Sequence, residues 1–188
     1  MTVSALIAKQ RGILRIAGED RVPFLQGLVT NDVLALQEGQ SCYSAYLTPQ
    51  GRMITDMHVI ALAHRLWLDV PAPLASSLRD RLDGLIFAED AQVVDESDAI
   101  AVWGVYGSLV QGFKGSRVQV EEPGHAVPGF SSYLPVGEQL PSVLAELPEA
   151  SLETLDVLRI EAGTPKFLVD MTEDTIPLEA GLEDRAIS

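Results

Sequence analysis

A chain of 188 residues with 27 acidic and 13 basic side chains carries a formal charge of −14. Such a surface repels phosphate backbones, which excludes direct nucleic-acid binding unless a local basic patch supplies it. At 47% hydrophobic and 21% charged residues the composition is globular, and a chain of this size buries roughly 70% of its unfolded surface without needing a disulfide or metal.

The length fits one domain or two small lobes sharing a core. The N-terminal MTVSALIAKQRG lacks the basic region and apolar length of a signal peptide. No run approaches the roughly 20 apolar residues of a membrane span, and a single cysteine permits no internal disulfide. A reducing, cytoplasmic setting with no membrane partner is therefore expected.

In chain order, a first strand is predicted from Gly12 to Ala17. Asp20 then caps a helix that tolerates Pro23 in its first turn, with Phe24, Leu25, Leu28 and Val29 on one apolar face. Thr30-Asn31-Asp32 ends it. The strongest hairpin signal spans Ser41 to Leu62: Tyr43, Ala45 and Leu47 alternate, and Thr48-Pro49-Gln50-Gly51-Arg52 turns the chain. On the returning strand, period two puts Met53, Thr55, Met57 and Val59 on one face and Ile54, Asp56, His58 and Ile60 on the other. A third strand, Arg65 to Val70, pairs with it.

Helical spacing follows over Ala72 to Ala88 through Leu74, Leu78, Leu82 and Leu85. Strands are predicted at Gln92–Asp95, Ala99–Val105, Arg117–Val120 and Ser132–Val136, with Gly104 to Gly107 read as a turn. Helices are predicted over Ser142–Leu147 and Leu152–Ala162, closed by Gly163 as C-cap. Residues from Gly163 onward lack periodicity, and Ile176 to Leu182 reads as an extended strap. Strands and helices interleave without a βαβ rhythm, which gives an α+β class of mixed, mostly antiparallel sheets with packed helices.

Several chemistries lack support. There is no Gly-rich phosphate loop and no G-x-S-x-G elbow. His58, His64 and His125 lack metal-ligand spacing, so no metal site is expected. Cys42, within the apolar SCYSAYL, reads as a buried, inert thiol rather than a reactive one. Asp56, mid-strand beside His58, sits either on a solvated face or in a cleft where it could hold or exchange a proton with a substrate nitrogen. Glu161 falls at the edge of the stripe formed by Leu155, Leu158 and Ala162. It is either an ordinary boundary glutamate or an acceptor for a ligand's amino groups.

Four segments in order resemble one superfamily: Phe24 through Val33 (FLQGLVTNDV), Tyr46 through Met53 (YLTPQGRM), Arg159 through Gly163 (RIEAG) and Ile176 through Leu182 (IPLEAGL). Together they resemble the folate-binding region of the glycine-cleavage T-protein and, more closely, its YgfZ-type relatives. The resemblance implies tetrahydrofolate or a derivative as cofactor. Asp56, the second of the family's paired acids, would lie near the reactive folate nitrogens, as the candidate catalytic residue. Glu161 of the R-x-E motif would bind the pterin amino group, with Arg159 of the same motif counted in the cofactor site. Tyr43, Tyr46 or Phe167 would wall the pterin face.

YgfZ-type proteins carry a K-G-C-Y-x-G-Q-E-type motif just beyond the region matching Arg185 to Ser188, then a small β-rich domain; this sequence ends before both. Residues 1–188 are therefore expected to form the folate-binding region alone, as a stand-alone lobe or as part of a longer product. Three functions follow. One is a folate-binding factor in iron–sulfur cluster maintenance, partnered by iron–sulfur proteins. Another is an aminomethyltransferase taking its one-carbon group from a lipoyl-carrier protein. The third is a truncated, ligand-free interaction module with an exposed apolar patch where the family's further domain would dock.

Overall fold

The computed structural model describes residues 4–107 and 118–188. It divides into two compact units, Met1–Gln10 with Asp98–Pro165, and Arg11–Ser97 with Lys166–Ser188. Each is built around one antiparallel sheet with short helices packed on it, which bears out the α+β expectation.

The unit beginning at Arg11 holds a five-stranded sheet. Numbered in chain order through the molecule, its strands are β2 (Arg11–Ala17), β3 (Ser41–Leu47), β4 (Met53–Leu62), β5 (Arg65–Pro71) and β6 (Gln92–Asp95), in the spatial order β3-β4-β5-β2-β6. One face forms the main core. Leu14, Ile16, Met57, Val59, Leu66 and Leu68 pack there against Phe24 and Leu25 of helix α1 (Arg21–Gln26) and Leu78 and Leu82 of helix α2 (Ala75–Asp83). Asp20 precedes α1 without capping it; its carboxylate instead accepts from the Asp90 amide at 2.8 Å. Helix α2 is shorter than its leucine spacing predicts, because Pro73 opens a 3₁₀ turn over Ala72–Leu74 and Gly84 closes the far end.

The hairpin departs from strict alternation at one residue. Tyr46 stands opposite Thr55 while Leu47 stands opposite Met53, so Ile54 is an extra residue in β4. Such a bulge rotates everything before it to the other side of the sheet. Met53 therefore does not share a face with Thr55, Met57 and Val59 as period two predicts. It joins a second cluster with Ala45, Phe167, Met171, Leu182 and Ala186, while Ile54 packs against the main core. The closing segment makes that second cluster possible. It is no extended strap: Pro177–Ala180 forms a 3₁₀ turn ended by Gly181 at φ 68°, and helix α5 (Glu183–Ala186) follows.

The other unit is a four-stranded sheet in the order β1-β7-β9-β8, from β1 (Ala5–Lys9), β7 (Ile100–Tyr106), β8 (Val118–Glu121) and β9 (Gly129–Pro135). Strand β1 escapes the sequence reading because Leu6 and Ile7 are both buried, so the run shows no alternation. Gly104 to Tyr106 continue β7 rather than turning. Arg117 of the strand predicted at Arg117–Val120 lies outside the described residues. Leu6, Val105, Phe130 and Leu144 form the core, with helix α3 (Ser142–Ala145) contributing the last. Helix α4 (Leu152–Glu161) is capped by Ser151, whose hydroxyl accepts from the Thr154 amide at 3.4 Å, and Gly163 beyond its end takes φ 68°. Among the described residues no helix is long and apolar enough to cross a membrane.

Candidate functional site

The geometry around Asp56 follows from the register of β3 and β4. Ala45 stands opposite Asp56, and Tyr43 opposite His58, which puts both candidate residues and both aromatic rings on the face opposite the main core. Asp56 is only 8% exposed, so the solvated-face alternative does not hold. A buried carboxylate needs donors, and the Tyr43 hydroxyl donates to Asp56 Oδ2 at 2.8 Å. The Tyr43 and His58 rings lie with centroids 5.2 Å apart.

Burial pushes the Tyr43 phenol well above its ordinary pKa, and the Asp56 charge and hydrogen bond add to the rise; Arg185 and Arg11 oppose it. Tyr43 is therefore a fixed donor. The Arg185 guanidinium sits 5.1 Å over its ring. Arg11 pairs with Asp69, which stands opposite His58 on β5. One face of the sheet thus gathers two carboxylates, two guanidiniums, a phenol and an imidazole.

The Thr30-Asn31 pair explains why Arg185 arrives there. Asn31 Nδ2 donates to the Tyr43 carbonyl at 2.9 Å and to the Arg185 carbonyl at 3.3 Å. Thr30 Oγ1 donates to the Ala186 carbonyl and accepts from the Ala45 amide. Two short side chains in the turn after α1 thereby dock α5 onto β3. Sequence reasoning missed Arg185, Arg11 and Asp69. A charged residue in the middle of an apolar strand, as at Asp69, was the available signal.

Tyr46 is not part of this group. It is one step out of phase with Ala45 and Asp56, 7% exposed, and packed in the main core. Phe167, 3% exposed, lies beneath the Asp56 face with Ala45 and Met53 and offers no open ring. Cys42 packs against the main core, and burial, with a smaller effect from Asp32, pushes its thiol up to about 11. That agrees with an inert cysteine.

Arg159 and Glu161 belong to the other unit. Arg159 is the buried residue of α4; its Nε donates to Asp156 Oδ1 at 2.8 Å and its Nη1 to the Thr164 carbonyl at 3.2 Å. These bonds stitch the last turn of the helix to the chain leaving it. Glu161 and Ala162 are exposed, so the predicted stripe is turned: Arg159 takes the inner position that Ala162 was expected to hold. Glu161 projects from a helix end whose direction Arg159 fixes. Among the described residues no group of three His, Cys, Asp or Glu side chains is placed to hold a metal.

The α+β fold is similar to that of a solved aminomethyltransferase. The aminomethyltransferase T of the glycine cleavage system from Bartonella henselae matches it with a TM-score of 0.82 at 24% identity, over 96% of this chain and 57% of that one. In sequence, the chain is 27% identical to an aminomethyltransferase of Caldanaerobacter subterraneus over 91% of its own length and 54% of that protein's. It is 25% identical to the Bacillus subtilis aminomethyltransferase over 91% of itself and 56% of the relative. A 56-residue stretch, 26% of the chain and 14% of the relative, is 41% identical to the mitochondrial iron–sulfur cluster assembly factor IBA57 homologue of Mycosarcoma maydis. No protein-family model matches the sequence. Along nine-tenths of its length in sequence, and in fold, the chain is similar to aminomethyltransferases. It spans about half the length of the curated aminomethyltransferases it matches.

Proposed function

We propose that the protein binds tetrahydrofolate and serves as a YgfZ-type factor in iron–sulfur cluster maintenance. The observation that carries the reading is the buried Asp56 carboxylate held by the Tyr43 hydroxyl, on a chain of aminomethyltransferase fold. A carboxylate fixed this way can accept from, or exchange a proton with, a ring or linker nitrogen of a reduced folate. Tyr43 is the aromatic residue best suited to line the pterin, since Tyr46 and Phe167 are packed in cores. Glu161, exposed at the end of a helix braced by Arg159, is free to accept from the pterin amino group. The stretch of 41% identity to an iron–sulfur cluster assembly factor favours this branch.

Aminomethyl transfer to tetrahydrofolate is the second reading, favoured by likeness to aminomethyltransferases along 91% of the chain. There Asp56 would polarise the folate nitrogen that accepts the one-carbon unit, and a lipoyl-carrier protein would bring that unit.

Calorimetric titration with tetrahydrofolate tests the shared core of both readings. Saturable binding by the wild type, weakened about tenfold or more in Glu161→Ala and in Asp56→Asn, is expected, each change removing a charge-assisted hydrogen bond. A folded protein that takes up no reduced folate would rule out both. Ammonia release from an aminomethylated lipoyl carrier would select the transferase; binding without release would select the maintenance factor.

A further inference from the structure

A cleft of about 280 Å³ opens on the opposite side of β4 from the Asp56 carboxylate, between the bulge at Ile54 and helix α2. Its apolar wall is Ile54, Leu74 and Leu78. Two hydroxyls line it as well. Thr55 Oγ1 donates to the Asp56 carbonyl at 3.0 Å and Ser77 Oγ to the Leu74 carbonyl at 3.1 Å, so both present their oxygens as acceptors. Its remaining lining residues are one cation, Arg81, and one anion, Glu173.

These two charges differ from those around them. Arg52 pairs with Asp174 at 3.3 Å and Arg79 with Asp80 at 2.9 Å. Among the described residues, Arg81 and Glu173 make no ion pair with each other or with a neighbour. Both are exposed, and both line the same opening. A space with one fixed charge of each sign, acceptor oxygens and an aliphatic wall matches a zwitterion with an aliphatic tail. Neither a simple anion nor a hydrocarbon would satisfy all of it.

We propose that this cleft binds a small α-amino acid with a branched aliphatic side chain. The ligand's carboxylate faces the Arg81 guanidinium, which presents parallel donors to it. The ammonium faces Glu173 and the two hydroxyl oxygens, and the side chain lies on Ile54, Leu74 and Leu78. The bulge creates the site, because it takes Met53 off this face and turns Ile54 onto it. Thr55 and Asp56 are adjacent in β4, so the strand residue that lines this cleft abuts the carboxylate on the opposite face. The cleft and the folate reading stand on different residues and are tested separately.

The experiment is a titration of the ¹⁵N-labelled protein with L-leucine, followed by amide shifts at Ile54, Thr55, Ser77 and Arg81. For a ligand of this size a Kd between about 0.1 and 1 mM is expected. Glycine, which lacks the tail, 4-methylvalerate, which lacks the ammonium, and isoamylamine, which lacks the carboxylate, should each bind about tenfold or more weakly. Arg81→Gln and Glu173→Gln should each lose about tenfold in leucine affinity, whereas Arg79→Gln, outside the cleft, should keep it. An unchanged amide spectrum outside the cleft shows that each variant remains folded. Absence of saturable shifts with leucine, equal affinity for 4-methylvalerate, or retained affinity in Glu173→Gln would overturn the proposal.

Discussion

Tyr43 ties Asp56 into a buried face, and its hydrogen bond runs one way only. The phenol is held protonated by burial and by the carboxylate beside it, so it acts only as the donor. Tyr43→Phe deletes that donor while keeping the ring that packs near His58 and beneath Arg185. The buried carboxylate then lacks a partner, at an expected cost of about 1–3 kcal/mol. The urea midpoint would report it, and adding Asp56→Asn to Tyr43→Phe should cost less than the sum of the separate changes. Cys42 gives a second expectation at this scale. Its thiol is raised from 9.0 to about 11, first by burial and then by Asp32. At pH 8 the folded protein should thus carry about hundredfold less thiolate than the unfolded chain. Alkylation by iodoacetamide should be slower by a similar factor and recover in denaturant. The sign for stability is the same: because the folded pKa is raised, the contribution of neutral Cys42 is complete below pH 9 and fades as pH rises towards about 11.

At the scale of elements, two glycines separate backbone conformation from packing. Gly163 takes φ 68° after α4, and a Cβ there would meet nothing within 4 Å. Gly163→Ala should cost only the left-handed strain, about 1–2 kcal/mol. Gly129 has ordinary φ, but a Cβ would fall on the Tyr106 ring. Tyr106 is 2% exposed, and its hydroxyl donates to the buried Glu122 that also pairs with Lys9. Gly129→Ala should therefore cost about 3 kcal/mol or more, since neither the ring nor the strand can move aside. Thermal melts of the two variants should order them in that way. Much of this was legible in the sequence: the glycine ending α4, the Ser41–Leu62 hairpin, and strands β2, β5 and β6 all carry local turn chemistry or regular alternation. The bulge at Ile54 was not, because one extra residue is invisible to a period-two count that has no partner strand to compare with. Strand β1 was hidden for a related reason: a strand covered on both faces alternates nothing.

At the scale of the whole chain, neither unit is a continuous stretch of sequence. The chain passes from one unit to the other after Gln10, after Ser97 and after Pro165. This is why Tyr43 and Asp56 could be singled out from the sequence while the group around them, Arg185 above all, could not. Tyr43 and Asp56 are close in sequence and share a hairpin, but Arg185 reaches them only because Lys166–Ser188 returns to the five-stranded unit. The return is also a matter of stability. Phe167, Met171, Leu182 and Ala186 supply four of the six buried residues in the second cluster of that unit. Burying a large apolar side chain is worth about 1.5–3 kcal/mol, so losing this segment forfeits several kcal/mol from a total that for a domain is about 5–15 kcal/mol. Truncation after Pro165 uncovers Ala45 and Met53 and removes the partners of Thr30 and Asn31 in α5. It should yield a protein that binds the dye ANS and melts without a cooperative transition. The substitution Arg185→Ala in the full chain, by contrast, should leave the cooperative melt in place while removing the cation above Tyr43. If the truncated chain instead melted as sharply as the full one, the closing segment would be an appendage rather than part of the core that holds Asp56.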